Sequence, residues 1–352
     1  MAKHGLTLSN LSPILNDRNI RWSLCIGAGT SLPVFPDWFS LIERIIKQHC
    51  SVKEQIDINI FHSMGFSADA MMQAILNKLK LSEEEFAMLL SKELFAPIKS
   101  ELSRIEWEAF KKVHDCIGIS GISHKTWNTF NDINDRLMNN TSASILAQST
   151  VKAIQYDKGP DTILSFNAEA LFLALLNYYW YRGKNKKNKF DRVMNSLSNR
   201  QHDRIPYVHC HGVVPIEGSR LKWGRNGIDK LVFSEESYLN LSNSSFSWQA
   251  ANFIDCCLHN RVIFVGVSFT DNNLRRWLSL IHKNKIDDLK RNGIMKTDTN
   301  EHYWINKKPR SLVEMKWIED TVSHLGIRLI WIDDWTEIGI VLETLLGIQF
   351  LA

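Results

Sequence analysis

The sequence has 352 residues, 44% hydrophobic and 23% charged, which excludes wholesale disorder; at roughly 150 residues per domain it is long enough for about two domains or one elaborated domain. A count of 42 Lys and Arg against 38 Asp and Glu leaves a net charge of +4, too balanced to argue for a nucleic-acid binder. No stretch approaches the roughly 18 uninterrupted apolar residues of a membrane span, and the six cysteines, none in a C-x-x-C pair, exclude a four-cysteine zinc ribbon and a disulfide scaffold.

In chain order, the start M-A-K-H-G-L-T-L-S-N lacks the apolar segment of a secretory signal, so a cytoplasmic, reduced protein without membrane attachment is expected. Short apolar segments bounded by Gly, Pro, Asn or Asp predict strands at Trp22–Ile26, Thr162–Phe166, Pro206–Cys210, Val262–Val267, Tyr303–Ile305 and Gly326–Ile332. Helical spacing groups Leu41, Ile42, Ile45 and Ile46; Phe190, Val193, Met194 and Leu197; and Leu274, Trp277, Leu278 and Ile281. Strand alternating with helix predicts an α/β fold: a mostly parallel sheet of about six strands flanked by helices. Residues 51–159 differ. Met71, Met72, Ile75, Leu76 and Leu79, then Ser82 with Glu85 before Phe86, Leu89 and Leu90, predict a mostly helical insertion after the first strand. The basic run Arg182–Lys189 is expected to be a solvated loop between two helices.

Four strand ends carry chemistry-bearing residues. C-I-G-A-G-T-S, Cys25–Ser31, offers Gly27 and Gly29 for a tight turn, with backbone amides and the Thr30 and Ser31 hydroxyls able to face a diphosphate. Leu32 stands where a full dinucleotide fingerprint has its third glycine. Pro36, Asp37 and Trp38 either open a helix or bring a flat aromatic beside that turn. Asn167 and Glu169 follow the second strand, where Asn167 is a ligand contact or a helix cap. His209 and His211 are two apart, on one side of a strand by alternation; a catalytic base at a strand end outweighs a metal site, since Cys210 points away. Gly266 and Ser268 end the fourth, and Asp271 reads a ribose or caps the next helix.

The order of these motifs resembles the sirtuin-like (silent information regulator type) NAD-hydrolase domain of the bacterial antiphage-defence branch. The family's G-A-G-x-S and P-x-W are matched by Gly27–Ser31 and Pro36–Trp38, its T-x-N-Y-D by Ser165–Glu169, and its H-G by His211 and Gly212. F-S-E-E-S-Y at 233–238, G-V-S-F-T-D-N-N-L at 266–274 and a last strand G-I-R-L-I-W at 326–331 complete the series. Ala168 and Glu169 replace the family's tyrosine and aspartate, Phe35 its glycine, and the zinc module of the protein deacylases is missing. The resemblance implies one Rossmann-like domain over 1–352, with core segments at about 20–50 and 160–352.

It further implies an NAD hydrolase that releases nicotinamide and ADP-ribose and serves as an antiphage abortive-infection effector. Asn167 and His211 would be catalytic, and Gly27, Ala28, Gly29, Ser31, Asp37, Trp38, Glu169, Gly266, Ser268 and Asp271 would bind NAD, the substrate, with no metal. Because uncontrolled NAD loss kills a cell, a sensor or regulatory protein encoded nearby, or homo-oligomerisation, is expected to restrain it. The alternatives are a non-catalytic NAD or ADP-ribose-binding module and a protein deacylase; direct nucleic-acid binding would rest on residues 182–189 alone.

Overall fold

The protein is described by a computed structural model over residues 5–348, apart from 18, 52–55, 197, 199, 219–230, 244–246, 295–298 and 300. Eight strands form a single parallel sheet: β1 (Leu6–Thr7), β2 (Trp22–Ile26), β3 (Ile163–Ser165), β4 (Phe190–Val193), β5 (Ile205–His209), β6 (Arg261–Val265), β7 (His302–Lys307) and β8 (Ile327–Ile332). Their order is β1-β8-β7-β6-β2-β3-β5-β4. From β2 the chain goes through β3 to the edge strand β4, steps back to place β5 between them, then crosses to β6 and builds outward through β7 and β8, beside which β1 forms the other edge. This is the Rossmann-like plan, with its switch point between β2 and β6.

All six predicted strands are present, and two were not anticipated. β1 is only two residues long, too short for any pattern to register. β4 replaces the helix predicted through Phe190, Val193 and Met194; Leu197, the fourth member of that pattern, lies outside the described residues. Positions i, i+3 and i+4 fit a helix face equally well in so short a segment, and pairing with β5 decides the matter: Phe190 lies opposite Ile205 and Val193 opposite Val208. The basic run 182–189 consequently joins a helix to a strand, not to another helix.

Helix α1 (Trp38–His49) follows β2. The interval before β3 holds α2 (Ile58–Ser63), α3 (Ala68–Leu79), α4 (Glu83–Ser100), α5 (Arg104–His114), α6 (His124–Ile133) and α7 (Ser142–Gln155). Next come α8 (Leu171–Arg182), α9 (Glu235–Asn243), α10 (Trp248–His259), α11 (Asn272–Arg291), α12 (Leu312–Ser323) and α13 (Ile338–Leu345). Polar caps set many of their starts. Asp37 accepts from the Ser40 amide at 2.8 Å, and Ser82 with Glu85 closes the capping box read from the sequence.

Both faces of the sheet are buried, because alternate residues of each strand enter different cores. Leu24, Ile26, Ile163, Tyr207 and Ile263 face the helices that precede β3, together with α8 and α13. Cys25, Leu164, Val208, Val262 and Phe264 face α10, α11 and α12. The predicted stripe Leu41, Ile42, Ile45 and Ile46 is buried in the first core, and Leu274, Trp277, Leu278 and Ile281 in the second. Among the described residues no helix is long and apolar enough to cross a membrane.

Candidate functional site

The carboxyl ends of β2, β3, β5 and β6 lie side by side, so the four motif-bearing loops share one edge of the sheet. At its centre two glycine turns interlock. The Gly27 amide donates to Val265 O at 2.9 Å and the Gly29 amide to Gly266 O at 3.0 Å. A Cβ on Gly27 would sit 2.5 Å from Gly266 O, and one on Gly266, whose φ is +65°, would sit 2.4 Å from Thr30 N. Glycine is required here for backbone-on-backbone packing as well as for turning. The Thr30 amide also donates inward, to Gly27 O at 3.0 Å. Three of the amides expected to face a diphosphate are thus committed within the protein.

Beyond this turn a narrow cavity of about 30 Å³ is lined by Ala28, Ser31, Trp38, Asn167 and Glu169, with Phe35, Leu41, Leu94 and Phe233 forming an apolar wall. Asn167 is 2% exposed. Its Nδ2 lies 2.9 Å from Ser31 Oγ, 3.0 Å from Glu169 Oε1 and 3.3 Å from Thr30 Oγ1, and the Ser31 hydroxyl donates to Glu169 Oε1 at 2.5 Å. These contacts fix the amide so that its NH₂ faces the carboxylate. Asn167 Oδ1, in contrast, is buried without a hydrogen-bond partner. Glu169 also accepts from the Leu171 amide at the start of α8. Trp38 packs on Phe233 with ring centroids 4.8 Å apart. Asp37, an exposed cap of α1, does not line the cavity.

His211 stands at the end of the neighbouring strand, outside that cavity. Its ring meets the edge of Phe166, the residue before Asn167, at a centroid distance of 4.8 Å, and that of Tyr238 at 5.1 Å. Its Nδ1 lies 3.3 Å from the Tyr238 hydroxyl, and its Nε2 lies 3.4 Å from Asp271 Oδ2. Asp271 caps α11 with Oδ1, accepting from Asn273 N at 2.8 Å and Leu274 N at 3.3 Å. Burial pushes its carboxyl up, but His211 and those two amides outweigh this and hold it below the usual aspartate value. Burial, with Asp271 and Asp69 nearby, raises the Tyr238 hydroxyl well above its ordinary value, so it stays protonated. Ser268 is exposed and bonds to the Thr270 hydroxyl at 2.8 Å.

The expected pairing of His209 with His211 on one side of a strand does not hold. β5 ends at His209, and the turn that follows breaks the alternation. His209 packs against Tyr207 instead, with centroids 5.0 Å apart, and burial together with Arg192 and His114 pushes its imidazole well below the usual value. Among the described residues no three His, Cys, Asp or Glu side chains gather as metal ligands.

One supporting pair escaped the sequence reading. His114 ends α5, is fully buried, and accepts from the Ala170 amide at Nε2 (2.9 Å) while its Nδ1 meets Asp115 at 2.7 Å. An acceptor at Nε2 places the proton on Nδ1, donating to the carboxylate. Adjacent His and Asp after a helical pattern carry no sequence signal of their own.

No curated protein matches the chain. The family model of the SIR2-like domain matches residues 161–329. The match omits β2 and its glycine turn, yet takes in Asn167, His211 and Asp271. The likeness to the SIR2-like domain, a kind of domain that uses NAD, thus extends over just under half of the chain.

Proposed function

We propose that the protein is an NAD hydrolase that cleaves the bond between nicotinamide and ribose. The observation that carries this reading is the Asn167 amide: its NH₂ is locked by Ser31 and Glu169, while its buried Oδ1 has no partner beside the cavity. An acceptor so fixed suits a water or a sugar hydroxyl that must be held in line.

Nicotinamide leaves a cationic ring as a neutral molecule, so the leaving group needs no acid. The C1′–N bond breaks with its electron pair moving to the ring nitrogen, water adds to C1′, and one proton is released. The protein must stabilise an oxocarbenium-like sugar and take up that proton, in contrast to glycosidases with their paired acid and base. The Glu169 carboxylate supplies negative charge at the cavity, and His211 is the base for a ribose hydroxyl or the water. The glycine turns at Gly27, Ala28, Gly29 and Gly266, with Ser31 and Trp38, accommodate the dinucleotide. Asp37 and Ser268 flank this edge.

The cavity is narrow, with Phe35, Leu41, Leu94 and Phe233 as its apolar wall, and its opening is the step at which turnover is controlled. This fits an enzyme kept in check. We further propose that opening is coupled to a regulatory partner or to self-association, and that the role is abortive antiphage defence.

The test incubates the purified chain with NAD, alone and with proteins encoded beside it, and measures nicotinamide and ADP-ribose. Release that falls at least about 10²-fold in both Asn167→Ala and His211→Ala, with thermal unfolding unchanged, is the expected result. NAD binding without release under every condition would identify a binding module instead.

A further inference from the structure

We propose that Asp271 is a positioning residue that fixes the proton of His211 on Nε2 and so makes Nδ1 the basic nitrogen. This rests on the reading of His211 as the base. Two buried polar atoms in this structure, His211 Nε2 and Asp271 Oδ2, have no hydrogen-bond partner, and they face one another at 3.4 Å. A small closing movement makes them a charge-assisted bond, satisfying both at once.

Each side of the pair is held from behind. The carboxylate cannot turn away, because its other oxygen is anchored by the Asn273 and Leu274 amides at the start of α11. The positive end of that helix and its amides also keep it anionic. The imidazole cannot turn either, since Phe166 and Tyr238 press on it edge to face. An anionic carboxylate accepts hydrogen bonds only, so Nε2 must carry the proton. The Tyr238 hydroxyl, kept protonated by burial, donates to Nδ1 and selects the same tautomer.

When the Tyr238 hydroxyl turns its proton away and Nδ1 takes up a proton in the reaction, the ring becomes an imidazolium opposite the anchored carboxylate. That charge is stabilised by a carboxylate whose place the start of α11 has already fixed. Asp271 then neither reads a ribose nor merely caps a helix: one oxygen serves the helix and the other the base. Among the described residues, the other titratable groups around the pair are the Cys25 and Cys210 thiols near Asp271 and Asp69 near Tyr238; burial keeps both thiols protonated.

Asp271→Asn is the informative variant. Asparagine caps helices as well as aspartate, so α11 keeps its start. Its NH₂ then faces Nε2 as a donor and drives the proton to Nδ1. Nitrogen-15 spectra of the imidazole, recorded on full-length protein without NAD, should show the Nε2–H form in the wild type and the Nδ1–H form in Asp271→Asn. The same tautomer in both proteins overturns the proposal, whatever the activity. In an NAD assay the variant should lose on the order of 10²- to 10⁴-fold in kcat with KM little changed. An unchanged kcat in an active enzyme also overturns it. A tautomer switch in a protein that never cleaves NAD upholds the pairing and removes the hydrolase reading alone.

Discussion

The imidazole of His114 and the backbone amide of Ala170, 56 residues apart, are joined by a fully buried 2.9 Å hydrogen bond that ties the end of α5 to the loop bearing Asn167 and Glu169. The loop is held on its other flank by Val214, whose amide donates to Ala168 O at 2.7 Å. The residues that shape the cavity therefore take their positions from two distant segments.

His114→Leu removes the acceptor for the Ala170 amide and the donor to Asp115 from a site without water access. It should lower unfolding free energy by roughly 2–4 kcal/mol in urea titrations. His114→Gln places an amide oxygen near the old Nε2 position and should recover part of this loss. Equal stability of His114→Leu and the wild type would mean that the bond does not anchor the loop.

Gly266 and Gly293 share a φ of +65° but not their surroundings. An added Cβ at Gly293 meets nothing within 4 Å, so Gly293→Ala should cost only the left-handed backbone penalty, about 1 kcal/mol. At Gly266, in the turn after β6, the same Cβ collides at 2.4 Å with Thr30 N of the turn after β2. Gly266→Ala should therefore cost at least about 3 kcal/mol or prevent folding. Thermal melts of the two variants side by side isolate the collision from the backbone term.

His302 is buried at the start of β7, its Nδ1 accepting from the Val262 amide at 3.2 Å. Burial pushes its imidazole down from 6.5 to about 4, with the nearby Glu301 opposing this and Lys285 adding to it. The unfolded chain therefore binds a proton at this residue before the folded one does. Stability attributable to His302 is full above pH 6.5 and is lost as the pH falls towards 4, by about 3 kcal/mol in all. His302→Asn, which retains an acceptor near Nδ1 and cannot titrate, should flatten this limb of the stability–pH curve. His209, also held neutral by burial, contributes in the same direction and remains in the variant.

Local chemistry alone was enough to place most of the architecture. Short, nearly continuous apolar runs at 22–26, 262–267 and 326–332, bounded by turn residues, read as buried strands, and the Ser82–Glu85 pair marks a helix start by satisfying its own amides. The order of Gly27, Asn167, His211 and Gly266 along the chain also indicated one functional edge, since parallel strands present their carboxyl ends together. Tertiary structure decided the rest. Four residues at 190–193 satisfy both a helical and an extended pattern until β5 offers its hydrogen bonds. His211 is read as a base from its type and position, but its partners Asp271 and Tyr238 lie 60 and 27 residues away, and His114 meets Ala170 only through packing. Sequence periodicity records which face of an element is apolar. It holds no information on which distant polar atoms that burial forces to pair, and at this site those pairings set the geometry.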